Sequence, residues 1–146
     1  MIFFKLFQGC VEGVKMSKFI ITEHDAKKAG KHFDIRFQIP NSNMWASFAC
    51  RKDIPITSGT KILAIRTNDH TSQEALFIGK IESGYGAGSL KKWDGGSCDI
   101  EKYSNRHISI NFKGSKIKGL YHFVSTGVFN KKDKGGKSYM LFKGKI

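Results

Sequence analysis

The segment over residues 24–36, HDAKKAGKHFDIR, contains residue types that bind metals and phosphates. In an extended strand, alternate side chains point to opposite faces. His32, Asp34 and Arg36 therefore share one face, and the apolar residues between them form the other. Imidazole and carboxylate groups are ligands for zinc, manganese and iron, and an arginine can bind a phosphate through two parallel hydrogen bonds. The pattern predicts a metal site beside an anion pocket.

His24 is a candidate third ligand, since it follows a β-branched, apolar stretch over 19–23 that predicts a first strand. The basic loop after it could return the chain so that His24 and His32 share one face. Within that loop, Asp25 is predicted to cap a short helical turn that Gly30 ends. The alternative is an ordinary edge strand whose polar row faces solvent.

Composition favours a single domain with a polyanionic partner. The 146 residues are 40% hydrophobic, and 25 Lys and Arg against 12 Asp and Glu leave a formal charge of +13. This charge is spread along the chain, and nucleic acid is the commonest polyanion that a soluble protein meets. A ribosome-associated or membrane-surface protein would have a similar composition. We expect one domain over 1–146.

The cysteines and the chain start indicate a cytoplasmic protein. Cys10, Cys50 and Cys98 lack metal-finger spacing, so we expect reduced thiols. No stretch approaches the ~20 apolar residues of a membrane span. The first residues are apolar but lack the pattern of a signal peptide. If translation begins at Met16, residues 1–15 are an N-terminal extension.

Short alternating or apolar segments separated by Gly-, Asn- and Asp-rich turns predict about eight or nine strands. The predicted strands cover residues 19–23, 32–39, 44–50, 61–67, 76–81, 89–93, 108–113, 117–124 and 139–143. This pattern is typical of an antiparallel barrel or sandwich, and a closed barrel fits a domain of this size best. The predicted fold is all-β, mainly an antiparallel β-barrel with a short helical turn.

Three connections between the predicted strands contain residue patterns that bear on function. The polar segment 68–72 is predicted to be a loop, the usual place for a functional residue. The glycines over 84–88 resemble a phosphate-binding loop. However, a predicted strand and a predicted tight turn at 94–96 follow them, so no helix N-terminus is available to bind a phosphate. The segment 130–137 is predicted to be a basic loop, either solvated or lying against nucleic acid.

Several short motifs occur in a fixed order along the chain. They are His24-Asp25-Ala26, His32-x-Asp34-x-Arg36, Trp45-Ala46, Leu63-Ala64 leading to Asp69-His70, Gly84-Tyr85-Gly86-Ala87-Gly88, Trp93-Asp94-Gly95 and Lys118-Gly119-x-Tyr121-His122. In this order they resemble the 3′-phosphoesterase domain of bacterial DNA ligase D and its stand-alone archaeal and bacterial relatives. The resemblance spans nearly the whole chain.

The resemblance implies a manganese-dependent enzyme, with another divalent transition metal as an alternative cofactor. Such an enzyme acts on DNA or RNA-tailed DNA 3′ ends. It removes a terminal ribonucleoside and then the 3′-phosphate, leaving a 3′-hydroxyl for a polymerase or ligase. Since no ligase or polymerase sequence is attached here, that partner would be supplied in trans. We expect a monomer that does not bind membranes.

The resemblance also implies roles for individual residues. The metal ligands would be His24, His32 and Asp34, the catalytic residues Arg36 and His70, and the substrate-binding residues Arg36, Lys52, Arg66 and His70. Two departures from the ligase-fused form matter. The loop between His24 and His32 is longer, which could displace His24 from the metal, and Glu74 stands where that form has a tyrosine.

Two other functions remain open at this point. An iron-dependent oxygenase uses a His-x-Asp motif with a distant histidine, for which His107 or His122 could serve. Arg36 beside the carboxylate and the net charge of +13 favour a polyphosphate substrate instead. A non-catalytic nucleic-acid-binding barrel would explain the charge but not the row of His and Asp residues. We otherwise expect His107 and His122 to be structural.

Overall fold

The computed structural model describes residues 13–28, 30–84, 87–130 and 136–145. Within these ranges the chain forms nine strands and one short helix. They are β1 (Lys15–Ala26), β2 (Gly30–Gln38), β3 (Trp45–Cys50), β4 (Lys61–His70), α1 (Ser72–Ala75), β5 (Gly79–Ile81), β6 (Gly88–Tyr103), β7 (His107–Lys113), β8 (Lys118–Asn130) and β9 (Gly136–Lys143).

Eight of these described strands close into an antiparallel barrel. Their order is β1-β2-β3-β4-β9-β8-β7-β6, and β6 pairs back with β1 along most of its length. The short β5 pairs with the first residues of β6, on the edge opposite to β1. The predicted all-β fold and the antiparallel barrel are confirmed.

The inward-facing side chains of the barrel strands form the main core. In β2, Phe33, Ile35 and Phe37 face this core, as the alternation of the sequence predicts. Phe37 stacks on Phe48 of the neighbouring strand, and Phe48 contacts Phe123 at 4.6 Å between ring centroids. Each such ring contributes about 2–3 kcal/mol through burial. This packing fixes which face of β2 turns outward.

A second, smaller apolar cluster lies on the outer surface of the barrel. It consists of Ile20, Trp45 and Ala75, all buried. Ala75 belongs to α1, and the indole N–H of Trp45 donates to the hydroxyl of Ser72 at 2.8 Å. These contacts hold α1 across the outer faces of β1 and β3, beside the polar side of β2.

The helical turn predicted after Asp25 is wrong. Residue 25 lies in β1 and pairs with Lys31, and the strand continues to Ala26, which pairs with Gly30. β1 is hydrogen-bonded on both edges, by β2 and β6, and this pairing outweighs local helix propensity. The helix that the described residues contain is α1, which starts at a capping box formed by Thr71 and Glu74.

Three other predicted boundaries are wrong. β4 continues through the segment predicted to be a loop and ends at His70, which pairs with Trp45 of β3. β6 runs without a break through the tight turn predicted at 94–96, because its glycines pair with β1. The predicted strand over 76–81 begins only at Gly79.

Some predictions fall outside the described residues. These are the N-terminal extension up to residue 12, Tyr85 and Gly86 of the glycine run, and most of the basic loop before β9. Cys10 lies there as well. Cys50 and Cys98 are buried free thiols, and burial raises the pKa of each to about 12, so neither is a nucleophile at neutral pH.

The carboxylate of Asp94 organises the turn between β7 and β8. It accepts hydrogen bonds from the backbone amides of Gly95 and of residues 115–117 at 2.8–3.0 Å. A Cβ atom on Gly114 would collide with this carboxylate, so glycine is required there. Replacing Asp94 by alanine should lower the free energy of unfolding by about 3 kcal/mol, because four backbone amides, of which that of Ile117 is buried, lose their acceptor. Urea denaturation measures the loss.

The same contacts predict a pH dependence. Burial alone would raise the pKa of Asp94, but the amides of Ile117, Ser115, Lys116 and Gly95 outweigh it, so the pKa lies below its ordinary value. The resulting stability is present above the unfolded pKa of about 3.9 and is lost as the pH falls through the folded value. Asp94→Asn should flatten the acid limb of the stability profile. Asp53→Asn, at an exposed site, is the control.

Candidate functional site

Two histidines and an aspartate converge on the outer face of the β1–β2 hairpin. His24 of β1 and His32 of β2 are direct cross-strand neighbours, with ring centroids 4.7 Å apart. Asp34 lies 3.3 Å from His24 Nδ1 and 3.2 Å from His32 Nε2 through its two carboxylate oxygens. The connection between β1 and β2 therefore leaves His24 directly beside His32.

The electrostatics of this group favour an ionised carboxylate. Asp34 is only 5% exposed. Burial would raise the pKa of its carboxyl, but the hydrogen bond from His32 and the charges of His32, Arg36 and His24 outweigh it, so the pKa is lowered. In turn, the hydrogen bond to Asp34 raises the pKa of His32. The negative charge of Asp34 is thus stabilised by His32, Arg36 and His24.

The donor set fits a divalent transition metal. One nitrogen from each of His24 and His32 and one oxygen from Asp34 lie within 4.8 Å of one another. Two imidazoles and a carboxylate are a common ligand set for manganese, iron or zinc. The hydroxyl of Thr22, the cross-strand neighbour of Asp34, is buried without a hydrogen-bond partner in the described structure. His24, His32 and Asp34 could hold the ion.

Arg36 is fixed beside the carboxylate. Its Nε donates to the hydroxyl of Ser47 at 3.1 Å, and Nη1 lies 3.4–3.5 Å from the carbonyl oxygens of Glu74 and Ala75. Nη2 lies 3.7 Å from Asp34 Oδ2. A guanidinium held in this way presents preorganised donors to an oxyanion beside the metal-ligand group.

His70 reaches the site from the end of β4, where β4 meets α1. Its Nδ1 lies 3.5 Å from the carboxylate of Glu74, which also accepts the Thr71 amide at 3.0 Å in the capping box. Burial, followed by the charge of Arg36, lowers the pKa of His70 despite Glu74. With Nδ1 facing the Glu74 carboxylate as a donor, His70 can donate to a phosphate oxygen from Nε2 only when the ring is protonated. Glu74 positions this ring. The sequence signal for Glu74 is the Thr-x-x-Glu pattern, which predicts a capping box at the start of a helix.

The structure does not bring Arg66 to this group. Its guanidinium donates to the hydroxyl of Tyr103 at 2.9 Å and lies 5.7 Å from the ring of Phe48, on the inner side of β4. Nor does the structure bring in Lys52, whose side chain is exposed beyond the end of β3. Their predicted contacts with substrate stay predictions.

Arg51 is a basic residue near the metal-ligand group that the sequence analysis did not include in the site. Its positive charge acts on His32 and lowers the pKa of that ring, although Asp34 has the larger opposite effect. Ala49 of β3 is the cross-strand partner of Asp34, so alternation continues this outward face to Arg51. The strand period could have distinguished Arg51 from its neighbour Lys52.

His107 and His122 lie apart from this group, on β7 and β8. His107 Nε2 and His122 Nδ1 are 2.8 Å apart, and the hydroxyl of Ser109 lies 3.1 Å from each. Among the described residues, the group that could hold a metal is that of His24, His32 and Asp34. His107 and His122 therefore do not supply the distant histidine of an oxygenase triad.

The geometry agrees with a comparison against known families. The family described as the DNA ligase D 3′-phosphoesterase domain matches residues 22–125 of this chain. The chain belongs to this family. The matched range of this phosphoesterase domain contains both histidines, the aspartate, Arg36 and His70.

Relatives of this phosphoesterase domain are much longer proteins. The multifunctional non-homologous end joining protein LigD is 34% identical over 121 residues in Mycolicibacterium smegmatis, 35% over 113 in Mycobacterium bovis and 29% over 120 in Pseudomonas aeruginosa. These matches cover 74–78% of this chain but only 14–15% of each relative.

Within the described residues, no helix is long and apolar enough to cross a membrane.

Proposed function

We propose that this chain is a metal-dependent phosphoesterase that processes DNA 3′ ends. It removes a 3′-terminal ribonucleoside and then the 3′-phosphate, leaving a 3′-hydroxyl for repair. The observation that carries the proposal is the His24, His32 and Asp34 group directly beside the anchored guanidinium of Arg36. Membership of the phosphoesterase family supports the same reaction class.

Each residue of the site has a separate role in this proposal. His24, His32 and Asp34 hold Mn²⁺ or another divalent transition metal. The ion would polarise the phosphoryl oxygens and stabilise charge as the ester bond breaks. Arg36 and His70 donate hydrogen bonds to the non-bridging oxygens and hold the phosphate. Ser47 and Glu74 position these two side chains.

Basic residues around the site would hold the substrate strand. Arg51 is placed near His32, and the exposed Lys52 follows it. Arg66 would join them only if it left Tyr103, its hydrogen-bond partner. The substrates are DNA or RNA-tailed DNA 3′ ends, and a ligase or polymerase would use the product.

An end-processing assay tests the reaction. Matched primers that end in a single ribonucleotide or in a 3′-phosphate are incubated side by side with Mn²⁺ and with EDTA. The proposal expects both primers to be converted to the 3′-hydroxyl product with Mn²⁺ and neither with EDTA. DNA binding without conversion of either primer would instead favour a non-catalytic nucleic-acid-binding barrel.

Binding should depend steeply on salt because the chain carries a formal charge of +13. Each phosphate neutralised should contribute a slope of roughly −0.7 to −0.9 to log K against log salt concentration. Fluorescence anisotropy with a labelled primer measures this slope. An affinity that does not change between low and physiological salt would contradict the nucleic-acid assignment.

A further inference from the structure

Three consecutive large apolar side chains are exposed where α1 leads into β5. Leu76, Phe77 and Ile78 are 49%, 43% and 46% exposed, and we call them the apolar ledge. The sequence predicted that they lie in a strand, but the structure leaves them in an open connection. Contiguous exposed apolar side chains mark binding surfaces more often than single scattered ones do.

The ledge borders the phosphate-binding side of the site. It follows Ala75, which is buried against Ile20 and Trp45 on the outer face of the barrel. Arg36 Nη1 lies 3.5 Å from the carbonyl oxygen of Ala75. The ledge therefore begins one residue beyond a backbone group that contacts the predicted phosphate ligand.

The other end of the ledge leads to the metal-ligand side. Gly79 pairs with Leu90 of β6, and Leu90 pairs with His24 of β1. Two strand spacings, about 10 Å, thus separate Gly79 from His24. The ring of Phe77 lies over Gly79, where an added Cβ would be 3.5 Å from the ring. The ledge accordingly spans the site from the Arg36 side to the His24 side.

We propose that the apolar ledge binds the base of the 3′-terminal nucleotide, with Phe77 as the stacking surface. This inference rests on the proposed function. A base is joined to its phosphate through a single sugar, so a phosphate held by Arg36 brings its own base to this neighbouring surface. The ledge has no charge, which suits a base face and not a backbone phosphate. Stacking on an aromatic ring accepts every base.

The test compares enzyme variants on two primers that differ in one group. Both primers end in a 3′-phosphate, but the terminal nucleotide of the second is an abasic sugar. Wild-type protein should show a kcat/KM roughly tenfold higher on the first primer, mainly through KM. Phe77→Leu, which keeps apolar volume, should remove most of this preference, and Phe77→Trp should retain it. Leu63→Ala, at a 50% exposed apolar position on β4, is the control.

A binding measurement separates the ledge from the reaction. A primer with 2-aminopurine as its last base is mixed with protein in EDTA. Wild-type protein should quench its fluorescence by stacking, Phe77→Trp should do the same, and Phe77→Leu should not. This outcome would support the ledge even if no primer were hydrolysed, in which case the proposed function alone would fail.

Two outcomes would overturn the ledge proposal while leaving the proposed function intact. One is equal kcat/KM of wild-type protein on the base-containing and abasic primers. The other is a loss in Phe77→Leu that is the same on both primers, with quenching unchanged. Either result would mean that the ledge does not bind the terminal base.

Discussion

Replacing Asp34 by alanine should abolish Mn²⁺ binding and reduce end processing to the uncatalysed background. Asp34 bridges His24 and His32 through its two oxygens, at 3.3 and 3.2 Å. Without this carboxylate the remaining groups are two imidazoles beside a guanidinium, which repels a divalent ion. The protein should stay folded because Asp34 lies on the outer face, opposite the main core.

Mn²⁺ binding to Asp34→Ala is measured by isothermal titration calorimetry, and circular dichroism checks that the variant is folded. Asp25→Ala removes the same charge from an exposed position next to His24 and should bind Mn²⁺ as wild-type protein does. A folded Asp34→Ala protein with unchanged Mn²⁺ affinity would place the metal elsewhere.

Arg36→Ala and His70→Ala should each retain the metal and lose on the order of a hundredfold or more in kcat. The physical reason is that donors fixed around a phosphate stabilise the charge that develops on its oxygens in the transition state. Arg36 is anchored for this role by Ser47 and by backbone carbonyl oxygens, and His70 by Glu74. Neither side chain belongs to the described metal-ligand group.

Elemental analysis and steady-state kinetics on the same preparations test these two variants. Arg36→Lys is the informative companion, because it keeps the charge but not the planar pair of donors. It should recover only part of the loss. If His70→Ala lost the metal and its remaining activity followed metal occupancy, His70 would be a ligand and the assignment of roles would be wrong.

The row of polar residues on β2 could be predicted because the signal is local. A strand has a period of two, so a single apolar face fixes the other face as well. Phe33, Ile35 and Phe37 turn inward, which leaves His32 and Arg36 outside. The closed barrel could be predicted for a similar reason, since many short alternating segments leave few other architectures.

Other features depend on pairing between distant segments. β6 crosses its predicted turn because it is paired with β1, and the same pairing extends β1 to Ala26, into the start of the predicted helical turn. Arg66 is a different case, because strand alternation alone puts it on the inner face of β4, with the buried Ile62 and Ala64. Its cross-strand partner Phe48 is buried as well. The resemblance grouped Arg66 with the site, whereas the structure turns it toward Tyr103.

The positioning residues were missed for a different reason. Glu74 is recognisable as part of a capping box, but its contact with His70 exists only because β4 ends where α1 begins. Ser47 contacts Arg36 as its cross-strand partner. The positioning roles of both residues can be recognised once the strand register is known.

The most direct test is the release of inorganic phosphate from a 3′-phosphate primer by metal-stripped protein, before and after Mn²⁺ is added. We predict no release from stripped wild-type protein, full release after Mn²⁺ is restored, and none from Asp34→Ala in either condition. Release by stripped wild-type protein, or Mn²⁺-dependent release by Asp34→Ala, would contradict a metal-dependent phosphoesterase site at His24, His32 and Asp34.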